Sequence, residues 1–250
     1  MSLFNFKRKS IRTIKFNPWN KHIEAVKSVP LPSSQLMPSW YKGLPRFVNN
    51  SDKPIKSWGR RDLKLCSPFR DVMLAGYMYV TSCDIEFISY ENGDVDVFWG
   101  KELPFNPVEK RGSVLDENNQ GFGMPVPLGC HPVMFAFSPT YGADATSNYS
   151  VLVTHPFNRH DLPFVTTSGL IDTIGIGTGG GNVPFFLKEG FSGIIPKGTP
   201  YAQVIPFKRE EWNHVINKPD EDTYIAEVTL RNSYTSGFYQ NFVRKNKSYK

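Results

Sequence analysis

Cysteine is scarce in this chain. Cys66, Cys83 and Cys130 are odd in number and far apart, which argues against a disulfide framework. Long apolar runs are also missing. No stretch approaches the roughly 18–20 residues that span a bilayer, so no membrane partner is expected. The first residues turn basic at Lys7-Arg8-Lys9 with no apolar core behind the charges, so no secretory signal is expected and the place of synthesis and residence is read as a cytoplasm. Catalytic and metal signatures are lacking too. There is no C-x-x-C, no H-E-x-x-H, no H-x-D pair, and no nucleophile motif around Ser168 or Cys66.

What is present favours strands and turns. The 250 residues are enough for one large domain, or one domain with an arm. Aromatics reach 14%, with 20 Gly and 20 Pro, while 40% hydrophobic and 21% charged residues are the balance of a globular protein. The net charge of +6 is unevenly spread: residues 1–61 hold thirteen Lys and Arg against Glu24 and Asp52. Basic ends on a near-neutral body suit an acidic neighbouring protein or weak contact with nucleic acid.

Three regions are expected along the chain. Residues 1–61 read as a Pro-rich basic arm, since Pro18, Pro30, Pro32, Pro38, Pro45 and Pro54 forbid a long helix. Its large apolar groups, among them Trp19, Trp40, Tyr41 and Trp58, suit an arm laid on the body or on a neighbouring subunit. One helical turn ended by Gly43 is expected within 35–44. Residues 62–230 read as a β-rich body and 231–250 as a basic aromatic tail.

The body opens with the best helix signal. Ser67 is placed to cap it, Pro68 suits its first position, Asp71 lies near its positive end, and Gly76 stops it. The period then becomes two over 78–90, and Asn92-Gly93 predicts a hairpin returning through 95–99. Residues 100–129 are read as a long polar loop, of a length that is usually functional or an assembly contact. Further strands are expected at 133–138, 150–154, 164–172, 191–195, 201–207 and 224–230, with a turn at 196–200. The predicted class is mainly β: a jelly-roll-like sandwich with one short helix and extended terminal arms.

The densest polar cluster is His155, Asn158, Arg159, His160 and Asp161. With Cys130 and His131 it offers the atom types of a metal site, but without a metal-site spacing. The structural reading is a turn between strands, with Asn158 and Asp161 bonding backbone and Arg159 pairing locally. These residues and Gln203 are the binding candidates; no metal and no cofactor are expected. Asp172, Asp161 and Asp144 are the carboxylates that could serve as a general base. The glycine-rich 175–181 lacks the Lys-Ser/Thr of a phosphate loop and reads as a close backbone contact or mobile loop.

Gly169-Leu170-Ile171-Asp172 and Ile195-Pro196-Lys197-Gly198-Thr199-Pro200-Tyr201-Ala202-Gln203 resemble two strands of the trimeric dUTPase and dCTP deaminase superfamily. That resemblance covers about 40 residues and implies a β-clip body. Its activity would rest on Asp172, with Mg²⁺ as cofactor. In that family Tyr-Arg-Gly follows the aspartate, whereas Thr173-Ile174-Gly175 stands here. A wider likeness covers Pro38-Ser39-Trp40-Tyr41, Cys66-x-Pro68-Phe69, Ala75-Gly76-Tyr77, the 155–164 cluster and 198–207. In that order the chain resembles a family of uncharacterised tailed-phage and bacterial proteins. That resemblance implies a viral association and no established activity; with the two arms, the long 100–129 loop and no complete catalytic set, a non-enzymatic virion structural or assembly protein is expected, found in the host cytoplasm and then in the virion. Its partners would be other copies of itself or other virion proteins. The alternative it leaves is a nucleotide-binding or nucleotide-hydrolysing enzyme.

Overall fold

A computed structural model of the chain describes residues 12–19, 26–47, 62–100, 103–146, 148–172, 181–218, 220–234, 237–245 and 249. The glycine run at 175–180, Pro54, Trp58 and the basic residues 7–9 lie outside the described residues. The chain divides into two compact units, residues 1–31 with 76–209, and residues 32–75 with 210–250.

The first unit is mainly β, and the described residues hold fourteen strands in antiparallel sheets. Its strands are β1 (Lys15–Pro18), β3 (Tyr77–Val80), β4 (Ile85–Ser89), β5 (Val95–Trp99), β6 (Val108–Ser113), β7 (Cys130–Phe137), β8 (Tyr141–Asp144), β9 (Tyr149–Thr154), β10 (Phe164–Thr166), β11 (Gly169–Asp172), β12 (Val183–Lys188), β13 (Gly193–Ile195) and β14 (Pro200–Lys208). β2 (Leu31–Pro32) marks where one unit passes into the other. One sheet runs β10-β12-β7-β6, and in another β11, β9, β14 and β3 lie side by side. β13-β4-β5 forms a third, and β1 pairs with β8.

Alternation places one face of each large sheet inward, and the two faces bury a single aromatic core. Phe87, Phe135, Phe137, Phe164 and Phe185 are fully buried. Phe137 stacks on Phe185 at 4.0 Å and on Tyr201 at 4.4 Å. Tyr201 in turn stacks on Tyr79 at 6.0 Å, so the core joins strands of both sheets. Burial pushes the Tyr201 hydroxyl well above its ordinary pKa.

Several expected strands are broken where the chain changes sheet. The run at 78–90 is β3 and β4, separated by Thr81-Ser82-Cys83-Asp84. The run at 164–172 is β10 and β11, which pair with β12 and β9 respectively. At that corner hydroxyls take over the ladder's bonds: Thr166 Oγ1 donates to Tyr201 O at 2.7 Å, and Thr154 and Ser168 bond at 2.7 Å. The turn at 196–200 likewise links β13 and β14, which do not pair with each other. The expected loop at 100–129 contains β6, whose charged Glu109-Lys110-Arg111 had hidden its pairing with β7. The β4–β5 hairpin forms as expected, with Gly93 at φ +80° and Tyr90 N donating to Asp94 O. Gly93 N also donates to Tyr90 O, closing the turn between Ser89 and Val95.

In the second unit, α1 (Ser39–Gly43) ends at the expected glycine, and α2 (Ser67–Leu74) carries Pro68 in its first turn. The residue that caps α2 is Cys66, one position earlier than the sequence suggested. Trp40, Tyr41 and Phe69 pack together, with Tyr41 buried and Lys64 Nζ donating to the carbonyls of Tyr41 and Lys42. Arg244 reaches Asp71 with both Nε and Nη2, at 2.9 and 3.0 Å.

The strand expected at 224–230 is instead a helix, α3 (Glu221–Ser233). Asp220 accepts from Thr223 N and from Thr223 Oγ1, Glu221 and Asp222 occupy the first turn, and Arg231 the last. This local capping outweighs the β-propensity of Tyr224, Ile225, Val228 and Thr229. Among the described residues no helix is long and apolar enough to cross a membrane.

Candidate functional site

The polar cluster sits on the turn that carries β9 into β10. Asn158 adopts a left-handed conformation, φ +60°, which asparagine tolerates better than most residues. Arg159 N donates to Pro156 O and Leu162 N to Arg159 O, closing two successive turns. Leu162 and Phe164 anchor the end of the segment in the core.

Gln203 holds this turn from the neighbouring strand. It lies on β14 opposite Thr154 of β9, is fully buried, and its Oε1 accepts from Phe157 N at 3.0 Å. The Ala202-Gln203 pair therefore has a structural task here: a small residue for the core and an amide for an otherwise unmatched backbone donor.

His155 is equally committed. Its Nδ1 accepts from Thr166 N at 3.2 Å, so its Nε2 carries the proton and donates to Arg159 O at 3.2 Å. Both ring nitrogens are used, and burial pushes the pKa below its usual 6.5. A histidine with a lowered folded pKa binds its proton later in the folded than in the unfolded chain. Its contribution to stability is therefore complete above about pH 6.5 and is lost as the pH falls toward the folded value. Urea midpoints measured at pH 7.5 and 5.5 are expected to fall with acidification, and His155→Gln, which keeps one acceptor and one donor, is expected to flatten that fall. An unchanged slope in the variant would remove His155 as its source.

Arg159 is paired with Asp161, Nε to Oδ1 and Nη2 to Oδ2 at 2.9 Å each. Lys188 Nζ donates to His160 O. The third histidine, His131, accepts from Val133 N through Nδ1, and Cys130 is buried in a separate small cluster with Val114, Met134 and Phe186. Burial raises the pKa of its thiol, which opposes reactivity. Among the described residues no group of three His, Cys, Asp or Glu is placed to share a metal ion.

Asp172 stands apart from this cluster. It lies on β11 opposite Ser150 of β9, while Gln203 is opposite Thr154 of the same strand. Four residues of strand separate the two rungs by about 13 Å. Asp172 Oδ1 accepts from Ser150 Oγ at 2.6 Å and from Arg209 Nη1 at 3.3 Å on an exposed sheet face. Asp144 is in β8, opposite Lys15. The three carboxylates proposed as bases are thus on three different elements.

Sequence reasoning missed the cleft beside the turn. It has a volume of about 390 Å³ and is walled by Arg159, Leu162 and Pro163 on one side and by residues 194–200 on the other. Of the binding candidates read from sequence, Arg159 is the one that lines it. The second wall is fastened to the β3–β4 corner. Thr81 Oγ1 donates to Pro196 O and accepts from Thr199 N, Gly198 N donates to Thr81 O, and Lys197 N donates to Asp84 Oδ1 at 2.7 Å. Gly198, at φ +83°, makes the turn possible. No local pattern in the sequence marks it: Ile194, more than half exposed, and Ile195, fully buried, are adjacent identical residues. Its walls are largely apolar, with Arg159, paired to Asp161, and Lys197 as its cations. The Thr199 hydroxyl donates to Pro196 O, as the turn requires.

No protein-family model and no curated protein matches this chain.

Proposed function

We propose that this protein is a non-enzymatic assembly protein of a tailed-phage particle, which joins neighbouring subunits through its terminal segments. The observation that carries the reading is the surface of residues 212–230. Trp212 is 85% exposed, Val215 80% and Ile216 89%, and Tyr224, Ile225 and Leu230 on α3 are each at least half exposed. α3 has no buried residue at all. A 13-residue helix held by its caps alone is marginal in water, and large apolar groups grouped this way mark an interaction surface. The virion setting is supported by the sequence resemblance to tailed-phage proteins.

The chain has a mass of 28.4 kDa. Light scattering on the purified protein is expected to give a multiple of that mass, and mass spectrometry of particles from the source virus is expected to detect it. A strict monomer at every concentration, missing from particles, would sink the reading.

A further inference from the structure

Resting on that reading, we infer that the extended segment 211–217 of one copy docks as an added strand along β13, filling the cleft between Arg159 and Lys197 of a second copy. The donor is an unpaired length of chain. Every residue from 211 to 218 is exposed and without secondary structure, and among the described residues none of them makes a backbone hydrogen bond. In an extended conformation Trp212 and Ile216 face the same side, giving two apolar anchors four residues apart. A strand with unmet backbone groups and exposed apolar side chains is a ready partner for a sheet edge.

The acceptor offers such an edge. Among the described residues β13 bonds to β4 alone in the order β13-β4-β5, leaving its other edge without a strand partner. Beside it the cleft supplies Leu162, Pro163, Ile194 and Pro196 as apolar walls. Charge agrees. Residues 210–231 carry six acids against Lys218 and Arg231, with Glu210 and Glu211 just before Trp212. Lys197, exposed at the cleft's rim, has no ion pair among the described residues.

The reach of the chain favours a second copy as the occupant. Pro200 lines the cleft, and β14 runs from it to Lys208, a length of about 26 Å. From Lys208 to Trp212 the fully extended chain returns at most about 14 Å. Even doubled straight back along β14, the Trp212 backbone stops about 12 Å short of Pro200, a constraint on seating both anchors that a neighbour's cleft does not impose.

Complementation tests this directly. Sedimentation of the full chain is expected to show an oligomer. Trp212→Ala with Ile216→Ala removes the donor, and Ile194→Glu closes the acceptor. All three positions are exposed, so the thermal melts should match the parent's. Each variant alone is expected to dissociate at least about tenfold more readily. Mixed one to one, the donor of the Ile194→Glu chain can enter the intact cleft of the other variant, and a heterodimer is expected. An oligomer indifferent to both variants overturns this inference while leaving the assembly reading in place. A parent that is monomeric throughout overturns the docking, and one that is also missing from particles overturns both.

Discussion

Phe185→Ala is expected to destabilise the β-rich unit by about 3–5 kcal/mol, the range for truncating a fully buried phenylalanine. Phe185 is 0% exposed and is shared by the rings around it. Phe137 stacks on it at 4.0 Å, Phe135 lies at 5.7 Å, and Phe164 and Phe87 meet it edge-on at 5.7 and 6.1 Å. Removing the ring deletes its own transfer free energy. It also leaves a cavity that four other aromatic side chains, held on β4, β7 and β10, cannot collapse to fill. For a unit of this size each kcal/mol lowers the melting temperature by about 2–4 °C, so a drop of roughly 6–20 °C is expected by circular dichroism. Phe98→Ala is the internal control, because Phe98 is 47% exposed. Equal losses in the two variants would show that Phe185 is not at the centre of the core.

Gly76→Ala is expected to be at least as damaging, for a backbone reason. Gly76 has φ +65°, and a Cβ built there would stand 2.1 Å from Val204 O, with the Val204 carbonyl carbon and Ile205 Cα at 3.0 and 3.1 Å. The left-handed conformation alone costs an alanine about 1–2 kcal/mol. The clash adds to it, and the obstacle is the main chain of β14, which bonds to β3 on one side and to β9 on the other. No rotamer change relieves that contact. Either the β3–β14 register moves or the approach of residue 76 is lost. Little folded protein is therefore expected to accumulate, and whatever does is expected to unfold at a lower urea concentration than Phe185→Ala. Gly93→Ala separates the two causes, since Gly93 is also left-handed, at φ +80°, but has open space around it. It should show the conformational cost without the clash. A Gly76→Ala protein as stable as Gly93→Ala would refute the close approach.

How much of this was legible beforehand follows from the range of the forces involved. The α2 helix was visible because Pro68 and Gly76 act on their own neighbours, and the β4–β5 hairpin because Asn92-Gly93 does. Strands are legible where β-type apolar residues run through buried positions, as in β7, β9 and β14. The breaks at 81–84 and 167–168 leave no mark in the sequence, because a chain that passes from one sheet to another keeps its β-type residues through the corner. There Thr81, Thr166 and Ser168 replace ladder bonds with hydroxyl bonds, and a threonine reads the same in either role. The segment of α3 reads as a strand because the β-propensity of Tyr224, Ile225 and Val228 outweighs the Asp220–Thr223 cap in the sequence. With no sheet edge pairing with 224–230, the cap prevailed.

The polar cluster shows the same division. Its residue types were legible as a turn, and Arg159 pairing with Asp161 needed only two residues of separation. The committed state of His155 and the burial of Gln203 depended on Thr166 and Phe157, partners 11 and 46 residues away, and no local pattern records such distances.

By itself the sequence determined the class of this protein. Its aromatic, Gly- and Pro-punctuated alternation can bury a core only as packed sheets, and its uneven charge and scarce cysteines follow from composition alone. Tertiary structure decided which strands meet, that the 164–172 and 191–207 runs each divide between two sheets, and that a cleft opens beside Arg159. Those outcomes depend on long-range pairing and on the space left between elements. A linear pattern with a period of two specifies which face of a strand is apolar, but not the strand it lies against.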